Sequence, residues 1–115
     1  MAEQPRFDPL GTRAYSLFRS EIGEHVERVR ALLSRGVPTT AEEAEVIGRT
    51  CHTIKGGAGF FGLTEVARVA GTLEAIFLGE GERSREEIEV ALQSLITLSQ
   101  SLPEPTGGVE RCRIS

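Results

Sequence analysis

Tryptophan is absent from this 115-residue chain, and tyrosine and methionine occur once each. Any core must therefore be aliphatic, with five phenylalanines as its main aromatic material. Two cysteines are too few for a disulfide framework. Cys51 falls on an apolar stripe and reads as a buried thiol, while Cys112 lies in a polar tail, so a reducing cytoplasm is the expected compartment. No apolar run approaches the roughly 18 residues of a membrane-spanning helix, so membrane insertion is not expected. Residues 1–9 lack the apolar centre of a signal peptide. Excess positive charge is missing too: the net charge of −4 argues against general nucleic-acid binding. With 39% apolar and 26% charged residues, the composition is that of one soluble domain with a single modest core.

What is present is helical periodicity, four times over. A first helix is expected over about Gly11–Arg35, on a stripe of Tyr15, Phe18, Ile22, Val26, Val29 and Leu33 widened by Leu17 and Leu32. Gly36 and Pro38 stop it. Thr40 to Glu43 reads as a capping box that opens a second helix, which runs to about Phe61 and is broken by Gly62. A third is expected over Leu63–Leu78, ended by Gly79 and Gly81. Ser84 to Glu87 caps a fourth, which carries Ile88, Ala91 or Leu92, Leu95, Leu98 and Leu102 up to Pro103. No strand pattern competes. The expected fold is an all-α, antiparallel four-helix bundle over residues 11–102, between a loose N-terminus (1–10) and a linker or disordered tail (103–115).

The second helix holds the most informative run, from Cys51 to Gly62. Its apolar residues Ala44, Ile47, Cys51, Ile54, Ala58 and Phe61 recur at spacings of 3, 4, 3, 4 and 3. His52 stands beside that stripe, not in it. On its own face lie Gly48, Lys55, Gly56 and Gly59. A glycine inside a helix costs about 1 kcal/mol relative to alanine. A helix that tolerates several around one histidine needs its surface there to be low, for close approach by a partner. The region is also locally positive: Arg49, Lys55 and Arg68 stand against Glu65 alone between residues 47 and 70, a balance of +2 on an acidic chain. That suits an anionic group or an acidic partner. His25, by contrast, lies at the edge of the first helix's stripe and has no motif around it.

Register supplies a partner for the histidine. His52 lies ten residues before Gly62 and Glu74 twelve after it. At 1.5 Å rise per residue, these are about 15 and 18 Å from the turn along two antiparallel helices. Each residue also follows a stripe position by one. Glu74 can then accept a hydrogen bond from one ring nitrogen of His52, fixing the tautomer and leaving the other nitrogen the better nucleophile. Other readings fare worse. Gly57, Gly59 and Gly62 fit a dinucleotide-type G-x-G-x-x-G, but that fingerprint needs a preceding strand and here it ends a helix. No partner stands at metal-ligand spacing from Cys51 or His52, so no metal site is expected.

His52, Lys55, Gly56, Ala58 and Gly62, in that spacing, resemble the signature of histidine phosphotransfer (HPt) domains. The fuller run with Thr53, Ile54, Gly57, Gly59 and Phe61 is similar to the N-terminal phosphotransfer domain of CheA-type chemotaxis histidine kinases. The similarity extends from about Arg49 to Phe77 and, more loosely, to Phe18–Glu21. The resemblance implies a bundle whose second helix carries the phosphoacceptor, here His52, with Glu74 as its orienting carboxylate and Lys55 as a charge for a phosphoryl oxygen. It implies two partners, the ATP-binding domain of a histidine kinase and the receiver domain of a response regulator. ATP and Mg²⁺ would belong to those partners and no cofactor to this chain, which has no ATP site of its own and is expected to be a monomer as a fragment. Arg49 and Phe60 are expected to dock the partner: Phe60 stands eight residues after His52 and shares its face if the helix persists. Two alternatives stay open. One is a non-phosphorylated interaction domain that keeps the fold. The other is a free-standing relay protein outside chemotaxis, in place of the first domain of a histidine kinase.

Overall fold

A computed structural model of the chain describes residues 8–36, 40–79 and 84–106. Among them run four α-helices, α1 (Arg13–Leu33), α2 (Ala41–Phe60), α3 (Thr64–Leu78) and α4 (Arg85–Ser99), preceded by a 3-10 turn at Pro9–Gly11. This is the expected all-α four-helix bundle, and no strand occurs among the described residues. Pro38, Gly81, Cys112 and residues 1–7 lie outside the described part.

Three of the helices start where a side chain supplies a cap, while α3 starts at Leu63 without one. Thr12, Thr40 and Ser84 hydroxyls accept from the backbone N–H of Tyr15, Glu43 and Glu87. These bonds satisfy donors that the first helical turn cannot pair, worth about 1 kcal/mol each. Glu42 and Glu43, and Glu86 and Glu87, place negative charge on the positive end of the helix dipole. The α2–α3 turn is closed by two bonds, Leu63 N–H to the Ala58 carbonyl and Gly62 N–H to the Gly59 carbonyl. Gly62 takes φ +75° in that motif, where a side chain would be strained. The turn thereby fixes the register between α2 and α3.

The core is built largely from the stripes read from the sequence, with Val69 of α3 added and Leu33, Leu63 and Leu98 only partly buried at its edge. Ile22, Val26 and Val29 of α1, Ala44, Ile47, Cys51, Ile54 and Ala58 of α2, Val66, Ala70, Leu73 and Phe77 of α3 and Ile88, Ala91 and Leu95 of α4 form one cluster. Truncating a fully buried leucine or isoleucine in such a core costs about 2–5 kcal/mol. Leu17, expected to widen the first stripe, is exposed instead, because it lies off the row of Tyr15, Phe18 and Ile22 that meets the other helices. At one end Tyr15, Phe18 and Phe61 pack ring on ring, with centroids 5.2–6.5 Å apart.

The expectations at the bundle's edges need correction. Helix α4 stops at Ser99, not Leu102. Pro103 disfavours helical backbone at the residue before it, and Leu102 turns back into the core. Residues 8–10 enter a capped turn: Asp8 accepts from Leu10 N–H at the start of the turn that Pro9 opens. The start of the tail is held as well. Thr106 bonds the Leu10 carbonyl and the Asp8 carboxylate. Tyr15 donates its hydroxyl to the Pro103 carbonyl at 2.6 Å, and Arg19 pairs with Glu104 at 2.9 Å. Burial of the Tyr15 ring pushes its phenol pKa up, so it stays a donor.

Candidate functional site

Helices α2 and α3 form the most intimate pair of the bundle, and the site lies along their shared outer edge. His52 presents its ring to solvent, with 65% of the side chain exposed. Its Nδ1 lies 2.7 Å from Oε2 of Glu74 on α3. The expectation from register is therefore met in the geometry. An ionised carboxylate has no proton to give, so the bond requires the proton on Nδ1. In the neutral ring Nε2 then carries the lone pair, across the ring from that bond.

Glu74 is the hub. Its side chain is mostly covered, at 16% exposure. Its second oxygen, Oε1, lies 2.6 Å from Lys55 Nζ. The hydrogen bond from Lys55 holds the Glu74 carboxyl below the usual glutamate range against the opposing effect of desolvation, and the bond to His52 lowers it further. One carboxylate thus serves two helix-α2 residues three apart, one oxygen each. Lys55 is accordingly drawn across to α3 in this state. Cys51, one position before His52, is fully buried. Burial first, and the nearby Glu74 charge second, push its thiol up to about 12, so it stays protonated and inert.

The glycines divide into two groups. A Cβ added at Gly56 or Gly59 would meet nothing within 4 Å, so these positions leave the surface beside His52 open. Gly48 does not. It is buried, and a Cβ there would stand 2.5 Å from the Leu78 side chain. Its expected place on a low surface is corrected: α3 covers it, and its small size serves the α2–α3 approach. Two further glycines matter: Gly57, read from the sequence only as part of the run from Cys51 to Gly62, and Gly71, which the sequence did not single out. Gly57 faces α1, where a Cβ would fall 2.6 Å from Phe18. Gly71 on α3 faces Lys55, where a Cβ would lie 3.2 Å from Cδ. The available sequence signal for Gly71 was its place three residues before Glu74, on the same face of the third helix.

The flanking candidates are exposed. Arg49 lies one turn before His52 and is paired with Glu45 at 2.8 Å. Phe60 is the last residue of α2; the residue is 63% exposed, and its ring leans edge-on against Phe61 at 5.0 Å. The next residue, Phe61, is buried. His25 is half-buried on α1. Among the described residues, no group of three or more His, Cys, Asp or Glu side chains could hold a metal ion, and no helix is long and apolar enough to cross a membrane.

A histidine held in one tautomer, with its free nitrogen on an open surface, is an arrangement for nucleophilic group transfer. Comparison with known proteins bears on which group. No curated protein and no solved structure is matched by the chain. The family model of the Hpt domain matches residues 13–102, from the first residue of α1 to the buried Leu102 that follows α4. The chain belongs to the Hpt domain family, the histidine phosphotransfer domains of phosphorelays.

Proposed function

We propose that His52 is the phosphoacceptor of this domain, and that Nε2 is the atom that carries the phosphoryl group. The observation that supports this reading best is the 2.7 Å contact between Nδ1 and Glu74, which leaves Nε2 as the free ring nitrogen beside the open glycines. In the first transfer, the Nε2 lone pair attacks the γ-phosphorus of ATP held by a histidine kinase domain. An N–P bond forms, the bond to the bridging oxygen breaks, and ADP leaves with that electron pair. Nε2 has no proton to lose. Positive charge appears on the ring, and the Glu74 carboxylate at Nδ1 offsets it. In the second transfer, an aspartate oxygen of a receiver domain attacks the phosphorus. The N–P bond breaks, and the imidazole departs neutral with its proton still on Nδ1. Mg²⁺ for these steps belongs to the partner domains.

Lys55 has two roles in this reading: it holds Glu74 at rest and lies one helical turn from the incoming phosphoryl oxygens. Gly56 and Gly59 admit the partner surfaces. Phe60, a large apolar ring left in water beside that patch, is the docking anchor for the receiver, with Arg49 as a charge at the opposite edge. The sequence run from His52 to Gly62 supports a chemotaxis-type pathway, with this chain as the phosphotransfer domain of a CheA-type kinase in a cytoplasmic setting. The domain reading is residues 11–102 with flanking segments.

Incubation with an active kinase domain and labelled ATP tests the acceptor. Label on the wild type, stable in base and lost in acid, is expected. His52→Gln abolishes it while the helical circular dichroism is unchanged. Label that persists at His25 overturns the assignment to His52, and no label with any kinase of this class leaves a non-phosphorylated interaction domain.

A further inference from the structure

We propose that Gly71 is a positioning residue of the site. The space left by its missing side chain is the lane in which the Lys55 stem crosses α3 to reach Glu74. This rests on His52 as the phosphoacceptor and identifies what holds its proton in place.

The geometry gives three connected steps. A Cβ at residue 71 would stand 3.2 Å from Lys55 Cδ, closer than a side chain of this kind comfortably approaches. Lys55 Nζ ends 2.6 Å from Glu74 Oε1. The other oxygen of that carboxylate reaches His52 Nδ1 at 2.7 Å. Gly71 touches neither His52 nor Glu74 through any side chain, so its effect must pass through Lys55. A longer side chain at residue 71 would fill the lane and send Lys55 outward to solvent, which it already reaches with 42% of its side chain.

Losing that cation changes what Glu74 does. The Lys55 bond is the main cause that holds the Glu74 carboxyl below the usual glutamate range. It also occupies one oxygen and so leaves the other aimed at Nδ1. Without it the carboxylate can rotate and recruit water, and the ring is no longer bound to the Nδ1–H tautomer. The fraction of chains with Nε2 unprotonated and ready to attack then falls. Helix propensity points the other way. Glycine is the poorest helix former after proline, so its presence in the middle of a 15-residue helix is a cost that the fold itself does not require. No other described side chain comes within 4 Å of the added Cβ, so core packing does not account for the glycine.

The test replaces Gly71 with leucine and reads the His52 ring directly by nitrogen-15 NMR, with no kinase present. In the wild type, Nδ1 is expected to carry the proton. In Gly71→Leu, a mixture of tautomers is expected, with an unchanged or higher melting temperature. Labelling by the kinase should then slow by roughly tenfold, equivalent to about 1.4 kcal/mol. In a Lys55→Met background the leucine should have no further effect on the tautomer or the rate. Gly71→Ala, which closes the lane less, should fall between wild type and Gly71→Leu and guards against a leucine variant that fails to fold. An unchanged tautomer in both variants overturns the proposal, even if labelling slows, because residue 71 would then act on docking. An undiminished further loss in the Lys55→Met background overturns it as well. If the wild type is never labelled, the phosphoacceptor reading falls, while the NMR comparison still decides whether Gly71 governs the His52 proton.

Discussion

Replacing Glu74 with glutamine separates the two duties of this residue, holding the fold and tuning the ring. The substitution keeps the volume and removes the charge. At rest, the Nδ1 bond at 2.7 Å changes from a charge-assisted bond to a neutral one. The former contributes about 1.5–3 kcal/mol and the latter about 0.5–1.5. The difference, roughly 1–1.5 kcal/mol, is expressed where the ring becomes cationic, in the transfer step. It corresponds to a rate about tenfold lower. The effect on stability is smaller. His52 and Lys55 are 65% and 42% exposed and regain water when the carboxylate goes. Pairs this accessible contribute about 0–1 kcal/mol, so the melting temperature should fall by no more than about 4–8 °C. The assay is the initial rate of labelling at saturating ATP, beside a thermal melt of the same preparation. The carboxyl of Glu74 titrates below its usual range, chiefly through Lys55. Its stabilising contribution is therefore fully present above the ordinary glutamate pKa and is lost as pH falls through the lower folded value. The stability gap between wild type and Glu74→Gln should stay constant from pH 8 to about pH 5 and close in stronger acid. A labelling rate within twofold of wild type would refute the tuning role. So would a rate loss explained by unfolded protein in the melt.

The docking and packing assignments have their own tests. Phe60→Ala should weaken binding of the cognate receiver domain about tenfold, or about 1.4 kcal/mol, with the melting temperature unchanged. Equal affinity with a large drop in melting temperature would make Phe60 part of the aromatic cluster instead. Gly56→Ala and Gly57→Ala should have opposite signs in a thermal melt. The first adds a methyl group to open space and should stabilise by about 1 kcal/mol, while hindering phosphotransfer. The second drives a methyl into Phe18, whose ring is held between Tyr15 and Phe61, and should destabilise by about 1–3 kcal/mol. Equal melting shifts for the pair would mean that the α1–α2 contact is looser than the structure has it.

Much of this site was legible because its two helices are joined by a short hairpin. Once Gly62 is taken as the turn, rise per residue alone brings His52 level with Glu74, and the apolar stripes set which faces meet. The same reasoning could not tell which side of His52's face α3 would cover. Gly48 and Gly56 are equally spaced about His52 in sequence, four residues before and four after. In the bundle Leu78 lies over Gly48, and nothing lies over Gly56. Helix-wheel arguments define a face, but the neighbouring helix divides it. The stripe likewise overreached at Leu17, where a wider apolar arc was read than the two neighbouring helices cover. Composition hid the clasp between Asp8, Tyr15 and residues 103–106, since prolines and polar residues look like linker until a buried hydroxyl needs an acceptor.

Lys55 shows the same gap between spacing and placement, and it bears on mechanism. One turn from a phosphoacceptor, a lysine reads naturally as a cation waiting for phosphate. In the structure it is already engaged, 2.6 Å from Glu74, with its stem laid across Gly71. Neutralising a phosphoryl oxygen would then mean leaving or sharing that carboxylate at the moment the ring needs it most. Two outcomes follow for Lys55→Met. If lysine serves the phosphoryl group alone, the variant slows transfer but leaves Nδ1 protonated in the free protein. If it serves Glu74 first, the tautomer loosens before any phosphate arrives. The covered carboxylate, with one oxygen for each α2 partner, favours the second. On that view the cation prepares the nucleophile, and the phosphoryl group meets its positive charge chiefly on the partner domain.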